Sequence, residues 1–438
     1  MFPDAHRDPL LPAALRELPP PWNDLTRRRT ERLEDLPRTE ANERSALDAL
    51  AAALSGPPPR PGGGAWSDES EELHDRFRRE AAPRLAEAVP TTARLTREAV
   101  EGVLTEWART ARPPVPQWWP REHADRVAAE WAAQALADWA HDVLRWLERA
   151  PHDEEAVAAV AERCAEHGLS SPSALGLLHA LGAPRGEAAL LRLVRSPAVR
   201  EDDRQRARDH LLDLRRPRYR ARAQEPADGE EPLLPPPARD LPYAWSAGFQ
   251  WPQELPETQE NFARARAVLE ACAPAGPVAE PVPAPSWQGS GDEEPPVWLD
   301  VRRVMRDLMP CARLVTRERL TEAMRECALL GVPGVPRDPD GEAAERFIGT
   351  WVTWIGGWIA GEVFTWLGMY VDDGTALTPW AMDLAERYAR NGVAAEQAVS
   401  MLRWWHTDPR SREALTRLAA DDSLPDDLRE LARGGLGQ

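Results

Sequence analysis

The sequence predicts an all-α fold. Apolar residues recur at helical spacing nearly throughout the 438 residues, the period of helices that bury one face against a core. No run of alternating β-branched residues marks a strand. A third observation concerns organisation: a long block of sequence recurs about 220 residues downstream, so the helices are expected to belong to a repeated unit.

The recurrence is clearest between Arg126 to Leu147 and Arg346 to Leu367, which align without a gap at an offset of 220. Arg126, Trp131, Val143 and the pair Trp146-Leu147 fall on Arg346, Trp351, Val363 and Trp366-Leu367. The same offset carries Pro90, Thr96, Arg97 and Glu98 onto Pro310, Thr316, Arg317 and Glu318, and the PxVP at Pro113 to Pro116 onto Pro333 to Pro336. Upstream, LPRTEAN from Leu36 matches LPETQEN from Leu255 at 219. Downstream, Ala161 to Arg163 match Ala385 to Arg387 at 224, and Asp202, Arg204 and Arg208 match Asp427, Arg429 and Arg433 at 225. The order is collinear. Two tandem, internally duplicated helical-bundle lobes follow as the expectation: an N-terminal tail at 1–17, a first repeat unit at 18–214, a Pro-rich linker at 215–239 and a second unit at 240–438.

Each unit opens with an LP turn and a helix, Thr39 to Leu54 or Thr258 to Cys272. A Pro/Gly-rich loop follows in both (SGPPPRPGGGAW; APAGPVAEPVPAPSWQG), where neither residue type sustains a helix. Next comes a helix ending before Pro90 or Pro310, then one opened by Thr96 or Thr316, whose hydroxyls suit an N-cap. Beyond the PxVP loop the pattern predicts a long central helix, from about Ala124 to Arg149 and from about Ala343 to Met369. Three or four shorter helices close each unit. The last two, in GEAALLRLVRSPAVREDDRQRARDHLLDL and SREALTRLAADDSLPDDLRELARGGL, faintly resemble a HEAT-type hairpin. That likeness is confined to these residues and implies a helix pair, not a family.

Phe347 to Val371 is long enough to cross a bilayer and carries one charge, Glu362. Its counterpart in the first unit carries Glu130, Asp138, Asp142 and Arg145, which lipid does not solvate. A central helix ringed by others accounts for both, so no membrane span is expected.

Composition bounds the function classes. The chain contains no lysine, and all 54 basic residues are arginine. Ile, Asn, Phe and Tyr are scarce as well, which points to codon bias in a high-GC bacterium, such as an actinobacterium. A formal charge of -18 argues against a broadly basic nucleic-acid face. The dense basic strips are Arg27 to Arg29 and Arg215 to Arg222, the second expected as a solvated connector. Cys164, Cys272, Cys311 and Cys327 form no CxxC and no disulfide framework, which fits a reducing cytoplasm. The N-terminus lacks the apolar stretch of a secretory signal.

No nucleophile elbow, P-loop, HExxH or dinucleotide fingerprint is present, and no cofactor is expected. Of the acidic doublets, Asp372-Asp373 reads as a turn and Asp426-Asp427 as a helix start. The lone His/acid cluster, His152 to Glu155, reads as the first turn of a helix, because a metal site needs three or four converging ligands. Asp142 and Glu362 occupy matching places in the central helices. Structural ion pairs with Arg97 and Arg317, or with Arg163 and Arg387, are expected for them.

The 19 tryptophans mostly lie on apolar stripes. Three places differ and are candidate interface anchors: Trp118 and Trp119 in VPQWWP, Trp245 and Trp251 in LPYAWSAGFQWPQ, and Trp404 and Trp405 at a helix end. The second unit has VPRDPD in place of VPQWWP. These features lead to a non-enzymatic scaffold or adaptor that binds other proteins through two related lobes. The competing expectation is a helical enzyme with carboxylate-bound magnesium between the lobes.

Overall fold

The computed structural model describes residues 9–26, 29–55, 68–116, 118–149, 151–241, 255–273, 296–370 and 378–437. Among these residues the secondary structure is helical with no named strand, which establishes the all-α class. The chain divides into two compact units, Met1–Leu214 and Arg215–Gln438. Both Pro/Gly-rich loops, Arg27 and Arg28, Asp372 and Asp373, and Trp245 and Trp251 lie outside the described residues.

Unit 1 begins with α1 (Ala13–Arg16) and α2 (Arg29–Glu34). Helix α3 (Glu40–Leu54) starts where Thr39 accepts from the Asn42 amide at 3.2 Å, while the Asn42 side chain donates back to the Pro37 carbonyl at 2.8 Å. The LP turn is thereby locked to the first helical turn. Helix α4 (Asp68–Ala88) leads to a 3-10 turn (Thr92–Arg94) and to α5 (Arg97–Thr110), capped by Thr96 as its sequence predicts. Helix α5 turns Val100, Leu104 and Trp107 inward, one face at helical spacing. The long α6 (Trp118–Glu148) receives α2, α3, α5 and α8. Helices α7 (Glu154–Glu166), α8 (Ser171–Leu181), α9 (Arg185–Arg195) and α10 (Glu201–Gln224) follow; α7, α8 and α9 pack against one another.

Unit 2 presents the same order of local devices. A short α11 (Pro236–Arg239) precedes α12 (Gln259–Cys272), where Thr258 accepts from the Asn261 amide at 3.2 Å and Asn261 donates to the Pro256 carbonyl at 2.9 Å. Helix α13 (Pro296–Leu308), a 3-10 turn (Ala312–Leu314) and α14 (Arg317–Leu329), capped by Thr316, come next. The long α15 (Glu342–Tyr370) receives α12, α14 and α17. The closing helices are α16 (Thr378–Asn391), α17 (Ala395–Trp404), α18 (Pro409–Ala419) and α19 (Asp426–Gly435). Left-handed backbone recurs at the same joint in both units, at Gly168 and Ser170 before α8 and at Gly392 and Ala394 before α17.

The structure differs from the expected boundaries at two places. Residues 9–17 are not a loose tail. Leu11 and Leu15 are buried, the Leu10 amide donates to the Leu95 carbonyl at 3.1 Å, and the Thr92 hydroxyl donates to the Leu15 carbonyl at 2.7 Å. Residues 215–239 are not a solvated connector either. Arg215 is buried against Glu326 at 2.5 Å, Leu234 and Ala238 are buried, and the Leu233 amide donates to the Val315 carbonyl at 3.1 Å. The physical reason is a short motif, PLLPxxxRxLP, present at Pro9 to Pro19 and again at Pro232 to Pro242. Its second leucine, Leu11 or Leu234, is buried, and the amide of the first, Leu10 or Leu233, bonds to the residue after the 3-10 turn. Proline then opens a one-turn helix by fixing φ.

Among the described residues no helix is long and apolar enough to cross a membrane. Helix α15 instead buries Trp351, Ile355, Ile359, Val363, Phe364 and Trp366, the last donating its indole N–H to the Leu255 carbonyl at 3.4 Å. In unit 1 the indole of Trp139 donates to the Trp22 carbonyl at 2.7 Å, and Trp107 to Glu80 at 2.9 Å. Truncating such a tryptophan to alanine costs about 3–5 kcal/mol. Packing therefore suffices to explain most of them.

Candidate functional site

A cleft lined by charged side chains lies in unit 1 where α2 packs on α6. Its wall is formed by Thr30, Leu33, Glu34, Arg38, Asp142, Arg145, Trp146 and Arg149, around about 300 Å³ of space that is partly open solvent. Helical spacing brings it about: Asp142, Arg145 and Trp146 stand at i, i+3 and i+4 on α6, so three side chains share one stripe, and Arg149 follows just past the helix end. Trp146 is buried at the base, edge-on to Trp22 with ring centroids 5.3 Å apart. The Arg38 guanidinium lies over its ring at 4.1 Å, a cation–π contact that fixes a long side chain in place. Burial, and then the nearby Arg149 charge, lower the Arg38 pKa from its ordinary value.

The acids of the cleft are already engaged. Asp142 accepts from Arg29 Nε at 2.7 Å and from the Thr30 hydroxyl at 3.2 Å. Glu34 pairs with Arg149 at 3.3 Å. Among the described residues, no carboxylate lies within ion-pair distance of Arg38 or Arg145.

This geometry corrects the expected ion pairs. Asp142 does pair, but with Arg29, which comes from a helix 113 residues upstream in sequence. Arg97 pairs instead with Asp125 at 3.1 Å, and Arg317 with Glu231 at 2.9 Å and Glu345 at 2.6 Å. Arg163 and Arg387 are exposed on α7 and α16. The recurring pair lies one residue before each of them: Glu162 with Arg192 at 2.7 Å, and Glu386 with Arg417 at 2.6 Å. The arginine in each case comes from the helix after next, so no local pattern announces it.

Glu362 has no ion pair among the described residues, and burial raises its carboxyl above the ordinary range. Glu362→Gln should therefore leave the melting temperature unchanged or raise it by about 1–4 °C. A raised folded pKa means that the native state holds the proton more tightly. Wild type should then gain stability as pH falls from neutral toward the ordinary glutamate range, and the glutamine variant should lack that gain. Thermal melts between pH 4.5 and 8 test this; a drop of several degrees in the variant would mean that Glu362 has a stabilising partner.

The tryptophan doublets divide. VPQWWP is not a loop throughout, because α6 already begins at Trp118. Trp119 is fully buried, 5.9 Å from Trp107 and 6.4 Å from Phe77 by ring centroids. Trp118 keeps 37 % of its surface exposed. In unit 2, Trp405 is buried while Trp404 is 51 % exposed. The Trp404 ring lies flat against α15 at Gly368, where any Cβ would overlap the indole. Trp245 and Trp251 cannot be placed in this way. Trp245 does stand 223 residues after Trp22, the offset of the PLLP motif, and Trp22 is buried.

Sequence reading misses a polar layer between α4 and α6. The Ser70 hydroxyl meets His123 Nε2 at 3.3 Å, His74 Nε2 meets Glu130 at 3.2 Å, and Arg126 donates to Glu130 at 2.9 Å. Burial lowers the His74 pKa despite the Glu130 charge. Ser70 and His74 are buried, so this cluster ties two helices together. The signal was present as Ser and His at i, i+4 on α4 facing His and Glu at i, i+7 on α6. His152 to Glu155 opens α7: Asp153 caps the Ala156 amide at 3.0 Å, and buried Glu43 accepts from the His152 and Asp153 amides at 2.6 and 2.7 Å. No three of His, Cys, Asp and Glu among the described residues are grouped to hold a metal ion.

No protein-family model, curated protein or solved structure matches this chain.

Proposed function

We propose that the protein is a non-enzymatic adaptor, built from a duplicated helical unit, that binds other proteins. One observation carries the reading: the two units share capping devices and helix order, while their exposed features differ. Trp118 stands where unit 2 has Asp338, and Trp404 where unit 1 has Ala180. Residues that a common fold does not require, held rigidly at the surface, are of the type that anchors interfaces. The Trp404 ring rests against α15 at Gly368, and the next residue on that helix, Met369, is 37 % exposed. The reading places the adaptor in the cytoplasm, where its four free thiols stay reduced.

The experiment is quantitative affinity capture from a high-GC bacterial host, comparing wild type with Trp404→Ala and Trp118→Ala. Each variant is first checked for an unchanged melting temperature. A hot-spot truncation costs at least about 2 kcal/mol, roughly thirtyfold in affinity. Loss of one defined partner in one variant supports the reading; equal recovery of every captured protein in both variants counts against it.

A further inference from the structure

We propose that the α2–α6 cleft of unit 1 binds a phosphate group, carried as the monoester of a small ligand. This does not rest on the adaptor reading.

The argument is one of charge. Arg29, Arg38, Arg145 and Arg149 stand at or beside the cleft with two carboxylates, Asp142 and Glu34. Arg29 is spent on Asp142 and Arg149 on Glu34, which leaves Arg38 and Arg145 uncompensated. In a chain of net charge -18, acids are plentiful, yet none here neutralises these two. Two surplus guanidiniums match a dianion. A single carboxylate would satisfy only one of them, whereas a phosphomonoester carries close to two charges and three acceptor oxygens.

The site is also preorganised. Arg38 is held over Trp146 at 4.1 Å, so little of its rotamer freedom remains to be lost on binding. Arg145 on α6 and Arg149 just past its end also line the cleft. Arginine's fixed fork of donors suits tetrahedral oxyanions.

Comparison of the units shows that these arginines are not required by the fold. At the offsets of 219 and 220, Arg38, Arg145 and Arg149 correspond to Glu257, Thr365 and Met369. An arginine cluster confined to one of two similar frames, and placed in a concavity, has its simplest explanation in a ligand.

The test is titration of the full chain at low ionic strength, by calorimetry and phosphorus NMR, with inorganic phosphate, methyl phosphate and acetate. Saturable binding of phosphate or methyl phosphate in the millimolar range or tighter is expected, with acetate at least tenfold weaker. If methyl phosphate binds more tightly than inorganic phosphate, the natural ligand is an ester; the reverse order would overturn the monoester assignment. Arg38→Gln and Arg145→Gln should each weaken binding tenfold or more, while Trp404→Ala leaves it unchanged. Arg145 has no ion pair within the described residues, so Arg145→Gln should melt with wild type, whereas Arg38→Gln also loses its contact over Trp146 and should melt a few degrees lower while remaining folded. No saturable binding at 10-fold excess over the millimolar range, or equal affinity in wild type and both variants, would overturn the proposal.

Discussion

An Arg319→Met chain should melt roughly 6–20 °C below wild type, the equivalent of about 3–5 kcal/mol in a unit of this size. Arg319 is fully buried in unit 2 and makes three kinds of bond. Its Nε meets Glu230 at 3.0 Å, one terminal nitrogen donates to the Glu225 carbonyl at 2.8 Å, and the other to the Leu308 carbonyl at 3.4 Å. Methionine fills much of the volume but donates nothing. The buried Leu308 carbonyl and the part-exposed Glu225 carbonyl then lose this donor, and Glu230 keeps only Thr316 and Arg222.

Burial opposes ionisation of Glu230, but the bonds from Thr316, Arg319 and Arg222 outweigh it and hold its carboxyl below the ordinary range. The stabilisation is therefore present above the ordinary glutamate pKa and lost as pH falls through the depressed folded value. Adding Glu230→Gln to Arg319→Met should recover part of the loss, because the unpaired carboxylate disappears. Thermal melts with hydrogen exchange at α13 and α14 would test this; unchanged protection there would show that the bonds contribute nothing.

Gly186→Ala should destabilise unit 1 by about 3 kcal/mol, against the usual direction for a helical glycine. Elsewhere in a helix this exchange gains up to about 1 kcal/mol. Here a Cβ would fall inside the contact distance of the Leu178 carbonyl oxygen and carbon, which are backbone atoms and cannot rotate away. Helices α8 and α9 would have to part.

Unit 2 puts Ser411 at the corresponding place, where its hydroxyl donates to the Leu402 carbonyl. That pair of helices carries one more side-chain group at the same crossing. Gly176→Ala is the internal control, since a Cβ there meets nothing within 4 Å. If Gly186→Ala melts with or above Gly176→Ala, the close approach of α8 and α9 is not a constraint on the fold.

What the sequence disclosed was what is local. Thr96 and Thr316 cap helices where they were expected to, and Thr39 and Thr258, expected as the first residues of their helices, cap them as well, because a capping hydroxyl acts within three residues. The second central helix begins and ends within a residue of its predicted bounds, and the first ends where expected but begins at Trp118, a turn and a half before the predicted Ala124. The PLLPxxxRxLP motif was equally local but short, and its proline richness resembles a linker; only burial of Leu11, Leu15, Leu234 and Ala238 identifies it as structural.

The cleft was not legible for a different reason. Arg38, Arg145 and Arg149 are ordinary members of an arginine-rich chain until α2 and α6 cross. Likewise, which tryptophan of a doublet is buried depends on where α6 and α17 start and stop, a matter of one residue. Buried ion pairs such as Arg29 with Asp142 join elements that only tertiary packing brings together.

The absence of lysine has a consequence for the α2–α6 cleft. A guanidinium does not lose its proton in the physiological range and is no substrate for the acylations that silence amines. The positive field there is permanent. Over the pH range in which the carboxylates Asp142 and Glu34 stay ionised, a change of occupancy with acidity would come from the ligand's own ionisation.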